Sequence, residues 1–132
     1  MNDLKIFFLT HGTLCNAFKA LLEYLGADLS VIRPESVPLN ENESADDYRK
    51  RLLSISSGCT PLFITDIPGG TPDNCAKRVI TEIGKGYSIS GINVPMIAEL
   101  IRFDSFKSPE ELTEALIRSG KNGIREFYLQ DR

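Results

Sequence analysis

The sequence predicts an α/β domain: a doubly wound, mainly parallel sheet with helices on both faces. Three observations carry this prediction. Almost wholly apolar runs of strand length occur at residues 4–9 and 61–65, as strands buried on both faces require. Each is followed, after a turn, by a segment whose apolar positions recur every three to four residues, the rhythm of an amphipathic helix. The alternation of strand and helix then continues along the chain, which is the pattern of a parallel sheet covered on both sides.

Taken in order, Leu4 to Leu9 is the first strand, and the chain turns at Thr10-His11-Gly12. Leu14, Ala17, Phe18, Leu21, Leu22 and Leu25 mark a helix that Gly26 can close. Two prolines and several polar residues between Ser30 and Glu43 predict a loop, entered from a short strand over Leu29 to Ile32. Ser44 is placed to cap a helix carrying Ala45, Tyr48, Leu52 and Ile55 on one face, ended by Ser57-Gly58. Pro61 to Thr65 is the second buried strand, stopped by Asp66-Ile-Pro-Gly-Gly70. Thr71 is expected to cap the next helix, with Pro72 at its first position and Asp73 in its first turn. Cys75, Ala76, Val79, Ile80 and Ile83 form its apolar face. Tyr87 to Ser90 reads as a strand leading into a helix with Met96, Ile97, Leu100 and Ile101. Ser108-Pro109-Glu110-Glu111 is a capping-box signature for a helix over Leu112 to Ile117, followed by Gly120 and Gly123. Ile124 to Gln130, rich in β-branched and aromatic residues, is the candidate for a final strand.

The 132 residues are expected to form one domain spanning 1–132. Fifteen Lys and Arg against 18 Asp and Glu give a formal charge of -3, with the basic residues scattered among acidic ones. Nucleic acid is therefore not an expected partner. No apolar run approaches the ~20 residues of a membrane span, and the N-terminus has no leader pattern, so a cytoplasmic protein is expected. Cys15, Cys59 and Cys75 are odd in number and widely spaced, which fits reduced thiols and neither a disulfide framework nor a metal motif. With His11 the only histidine, no metal is expected, and no cofactor.

In sheets of this kind ligands bind beyond the carboxyl ends of the strands. His11, Asp66 and Asn93 each follow a predicted strand, so all three should gather on that edge. His11 supplies a nucleophilic imidazole that is partly neutral near physiological pH. Asp66 is placed to hold one ring nitrogen and leave the other free. Helix N-termini after His11-Gly12 and at Gly70-Thr71 offer backbone N–H groups, a natural phosphate cradle. Singly these features are ordinary turn and cap chemistry. Together they suggest a phosphohistidine. Asp73 is expected to serve only the helix dipole, and Cys15 and Cys75 to lie in the core.

Three blocks, "THG" at 10–12, "TDIPGGTPDN" at 65–74 and "GINVPMIAEL" at 91–100, are similar in order and spacing to the IIA components of the mannose class of the bacterial phosphotransferase system. The likeness runs from the first strand to about residue 124. It implies that His11 accepts a phosphoryl group on Nε2 from the histidine phosphocarrier HPr and passes it to a IIB domain, which phosphorylates sugar during uptake. It implies further that Asp66 bonds the other ring nitrogen, and that a hydroxyl and nearby backbone amides, here Thr71 and Gly70, surround the phosphoryl group; Gly12, at the other helix start, is expected to bind it as well. The IIB acceptor would be a separate subunit, and the membrane subunits IIC and IID indirect partners. A homodimer is implied in which the last strand, Ile124 to Gln130, is exchanged between subunits; packing onto its own sheet is the alternative. Pro68 and Thr71 depart from the bulky residue and the serine common in the family. Two other readings are a phosphoryl-transfer subunit for a dihydroxyacetone kinase, which "GGTP" and "NVPM" fit less well, and a regulatory module whose partner affinity changes when His11 is phosphorylated.

Overall fold

The computed structural model describes Met1 and residues 3–131. Among these residues four parallel strands form one sheet in the order β2-β1-β3-β4. The strands are β1 (Leu4–His11), β2 (Glu35–Leu39), β3 (Thr60–Thr65) and β4 (Tyr87–Ser90). Between and after them run α1 (Leu14–Tyr24), α2 (Leu29–Ile32), α3 (Ala45–Ser56), α4 (Thr71–Ile83), α5 (Val94–Ala98) and α6 (Pro109–Asn122), with a 3₁₀ segment at Glu99–Ser105.

Alternation along β1 explains why the helices divide between two faces. Ile6 and Phe8 join a core with Cys15, Phe18 and Leu22 of α1, Met96 and Ile97 of α5, and Leu112 and Leu116 of α6. Phe7 and Leu9 point the other way, into a core with Tyr48 and Leu52 of α3 and Cys75, Ala76 and Val79 of α4. Both sets are fully or almost fully buried, because successive side chains of a strand alternate across the sheet. The rings of Phe7 and Phe63 meet at 5.3 Å on the α3/α4 side. Cys15 and Cys75 lie in the two cores, as the apolar rhythm requires.

Three sequence expectations are corrected. Leu29–Ile32 is a helical turn, not a strand, because Asp28 caps it by accepting from the Ser30 N–H. The strand comes later, at Glu35–Leu39, inside the predicted loop. Pro34 before it and Pro38 within it concealed it, yet β2 is an edge strand, where a residue without an N–H is tolerated. Thr71 does not cap α4: Gly70 is the cap, Thr71 the first helical residue and Pro72 the second. Ile124 to Gln130 forms no strand in the single chain. Ile124 and Phe127 are 79% and 91% exposed, since no strand of the described sheet pairs with this segment. Elsewhere the caps hold: Ser44 accepts from the Asp47 N–H, and Ser108 from the Glu111 N–H. The α6 helix runs on through Gly120 to Asn122.

Candidate functional site: an oriented imidazole at the switch point of the sheet

The chain leaves β1 toward β2 on one side and toward β3 on the other, so strand order reverses between β1 and β3. The carboxyl ends of those two strands open the crevice in which sheets of this class hold their ligands. Here β1 ends in His11, and Asp66 follows β3 directly. The register brings them together, since Leu9 pairs with Thr65. After five buried residues from Ile6 to Thr10, β1 emerges into solvent at His11, whose side chain is 42% exposed.

Asp66 grips the histidine twice. Its Oδ2 accepts from the His11 backbone N–H at 2.9 Å, and its two oxygens stand 3.0 and 3.2 Å from the ring Nδ1. Burial pushes the Asp66 carboxyl up, but bonds from the His11 backbone, the His11 ring and the Ile67 N–H outweigh this and hold it below the usual aspartate value. An ionised carboxylate facing Nδ1 keeps the proton on that nitrogen and leaves the Nε2 lone pair exposed. The ring is thus oriented for nucleophilic work at Nε2.

Gly70 closes the other side of the ring. A Cβ placed on Gly70 would lie 2.8 Å from His11 Cε1 and 3.4 Å from Nε2, so only glycine admits the imidazole at this distance. Gly70 also caps α4, so the positive end of that helix begins beside the imidazole. The first intrahelical bond runs from the Asn74 N–H to the Gly70 carbonyl. Pro72 has no N–H, so Thr71 and Asp73 bear the first-turn amides the helix itself leaves unpaired.

Of the residues predicted around a phosphoryl group, His11, Asp66 and Gly70 come together in this geometry, and Thr71 follows Gly70 into the helix. The Gly12 N–H donates to the Leu39 carbonyl at 2.9 Å, and the Gly70 N–H to the Ile67 carbonyl at 2.9 Å. Gly70 therefore contributes space rather than a donor, and Gly12, with open room around it and a φ of 63°, contributes a backbone turn rather than a donor. Asn93 lies on the same edge but spends its side chain on the fold: its Oδ1 caps α5 at the Met96 N–H, and its Nδ2 donates to the Gly120 carbonyl. Thr10 had no assigned role in the sequence. Its hydroxyl donates to the Gly12 carbonyl and accepts from the Cys15 N–H, tying the strand end to the start of α1. The only signal for it was its place in "THG".

The site stands on an exposed rim of the sheet. A concavity of about 1130 Å³ lies at the opposite ends of the strands, against Leu4, Glu35 and Cys59. Leu14, Ile67 and Val94, on the segments that leave the carboxyl edge, are each about half exposed. No helix among the described residues is long and apolar enough to cross a membrane.

Comparison with known proteins gives the family and the fold. The family described as EIIA-man, PTS system fructose IIA component, matches residues 5–117. The mannose-specific EIIAB component of Escherichia coli K12 is 29% identical over 119 residues, which cover 88% of this chain and 37% of that protein. The chain thus spans a little over a third of the length of the curated relatives it matches. Two solved structures share the fold. The phosphotransferase component EIIA of Streptococcus agalactiae has a TM-score of 0.82 at 24% identity, covering 93% of this chain and 96% of that one. The mannose/sorbose IIA subunit of Enterococcus faecalis has a TM-score of 0.81 at 19% identity, covering 98% of each. With the matched stretch running through all four strands and both residues of the imidazole–carboxylate pair, the chain belongs to the mannose-class IIA family of the sugar phosphotransferase system.

Proposed function

We propose that this protein is a phosphocarrier in which His11 Nε2 takes a phosphoryl group from phosphorylated HPr and delivers it to a IIB acceptor, for sugar uptake and phosphorylation. The observation that carries the reading is the Asp66 carboxylate 3.0 Å from Nδ1, with Nε2 left open beside the N-terminus of α4. In the forward step the donor's N–P bond breaks as the Nε2–P bond forms. The donor imidazole regains its lone pair, and the positive charge that develops on the His11 ring is balanced by Asp66. Little else is demanded, because phosphoryl transfer rests on positioning and charge stabilisation. The α4 N-terminus and Thr71 then meet the phosphoryl oxygens, Gly70 leaves them room, and Gly12 lets the chain turn away beneath them.

The exposed apolar residues on the rim favour a protein surface as donor and acceptor over a small molecule enclosed in a pocket. Such encounters must be brief for turnover. Action in the cytoplasm, and one domain over residues 1–132, belong to the same proposal. So does a homodimer: Ile124, Phe127, Tyr128 and Leu129 are exposed in the single chain, and among the described residues β4 pairs on one side only. A strand exchanged between subunits would cover both.

The test is incubation with phosphoenolpyruvate, enzyme I and HPr, then intact-mass analysis under mildly alkaline conditions. A gain of about 80 Da, one phosphoryl group, that is lost in His11→Ala supports the carrier. No gain on a folded protein with active HPr rejects it.

A further inference from the structure

The Gly70 N–H to Ile67 carbonyl bond closes a β-turn with Pro68 at its second position and Gly69 at its third, where φ is 80°. Proline followed by a positive φ is the type II pattern. This turn sets Gly70 against the imidazole, and the first turn of α4 grips it from both sides. The Gly69 N–H donates to Asp73 Oδ2 at 2.8 Å, and the Gly69 carbonyl accepts from Asn74 Nδ2 at 3.0 Å.

Asp73 is placed too deeply for a mere partner of the helix dipole, which can act from an exposed position. It is only 1% exposed. Its Oδ2 also takes Lys77 Nζ at 2.9 Å, while its Oδ1 is buried without a hydrogen-bond partner. A carboxylate half unsatisfied in the interior is costly, and the one backbone group it holds is the N–H of the turn beside the imidazole.

We propose that Asp73 is a positioning residue for phosphoryl transfer at His11. By holding Gly69 it sets where Gly70 stands against Cε1 and Nε2, and so keeps the ring on Asp66 with Nε2 aimed at the α4 N-terminus. The inference rests on His11 being the phosphoryl acceptor. What it adds is a residue that acts through the turn without touching the reacting atoms.

The experiment compares wild type, Asp73→Ala and Asp73→Asn, all checked for folding by circular dichroism. Phosphorylation is followed with phosphorylated HPr over a range of concentrations and with phosphoramidate, a small donor that needs no docking surface. The His11 Cε1–H signal is recorded by NMR. Asp73→Ala is expected to lower the maximal rate at least about 10-fold with both donors, to leave the KM for phosphorylated HPr within about twofold, and to shift the Cε1–H signal. Asp73→Asn keeps an acceptor for the Gly69 N–H and is expected to recover to within about threefold of wild type. A folded Asp73→Ala that transfers at the wild-type rate overturns the proposal, and so does an Asn variant as slow as Ala, which would assign the effect to charge rather than grip. If wild type itself takes no phosphoryl group, the reading of His11 fails separately. The Cε1–H signal still reports on the grip, and an unmoved signal in Asp73→Ala overturns it.

Discussion

Gly70→Ala adds one methyl group at the point where the helix start meets the imidazole. The backbone there, at φ -73° and ψ 173°, is open to any L-residue, so the fold bears little strain. The new Cβ would stand 2.8 Å from His11 Cε1 and 3.2 Å from the Ile67 carbonyl oxygen. Ordinary carbon contact is about 3.5–4.0 Å, so the half-exposed ring must retreat by roughly 1 Å. It cannot do so and keep its 3.0 Å bond from Nδ1 to Asp66. A displacement of about 1 Å in a reacting group costs about 100-fold in rate, and that is the loss expected for phosphorylation by HPr in rapid-quench experiments. The melting temperature should move by no more than about 4 °C, since alanine for glycine at an N-cap costs well under about 2 kcal/mol. A folded Gly70→Ala that is phosphorylated within about threefold of the wild-type rate would refute the account of Gly70 as the space-giving residue.

His11→Ala should abolish the phosphoryl adduct and leave the circular dichroism spectrum and melting temperature close to wild type, because the side chain sits at the rim. Asp66→Asn should lower the phosphorylation rate by about 10²-fold or more, as neutral Asn no longer fixes the Nδ1–H tautomer or balances the ring charge; pre-steady-state kinetics at pH 7.5 measure it. Asp66 is held below its unfolded value, so its contribution to stability is complete above about pH 4 and lost as pH falls through the folded value. Glu43, lowered by its bond from Arg51, acts in the same direction. Urea midpoints should therefore be level from about pH 7 to 5 and fall below about pH 4, less steeply in Asp66→Asn. Tyr48→Phe removes a buried hydroxyl that donates to the Val37 carbonyl of the edge strand. It should cost about 1–2 kcal/mol in urea unfolding and leave phosphorylation unchanged.

Much of the architecture was legible because it rests on local rules. Ile6 to Leu9 and Leu62 to Ile64 are apolar on both faces, which only a buried strand tolerates, and both proved fully buried. Ser44 and Ser108 announced helix starts because a side-chain oxygen must satisfy an N–H within three residues, a demand that sequence alone displays. His11 and Asp66 were legible for the same reason, as polar residues that end apolar strands. The family's blocks in register then joined them into one site.

What stayed hidden depended on partners distant in the chain. Prolines argue against a strand locally, and only the edge position of β2 explains why Glu35–Leu39 is one. Asp28 turned Leu29–Ile32 into helix by a bond that competes with strand propensity. That Asp73 is buried beneath a turn and not exposed on a helix dipole follows from how α4 packs on Phe63 and Leu9, which no spacing reveals. By itself the sequence determined the alternation of elements and the identity of the chemical groups, since periodicity and capping act over a few residues. The tertiary structure alone decided the strand order β2-β1-β3-β4, the tautomer imposed on His11 and the closeness of Gly70 to its ring. The grip on His11 joins residues 55 apart in the sequence, the paired strands are likewise separated by whole helices, and such contacts are chosen by the packing of the whole core.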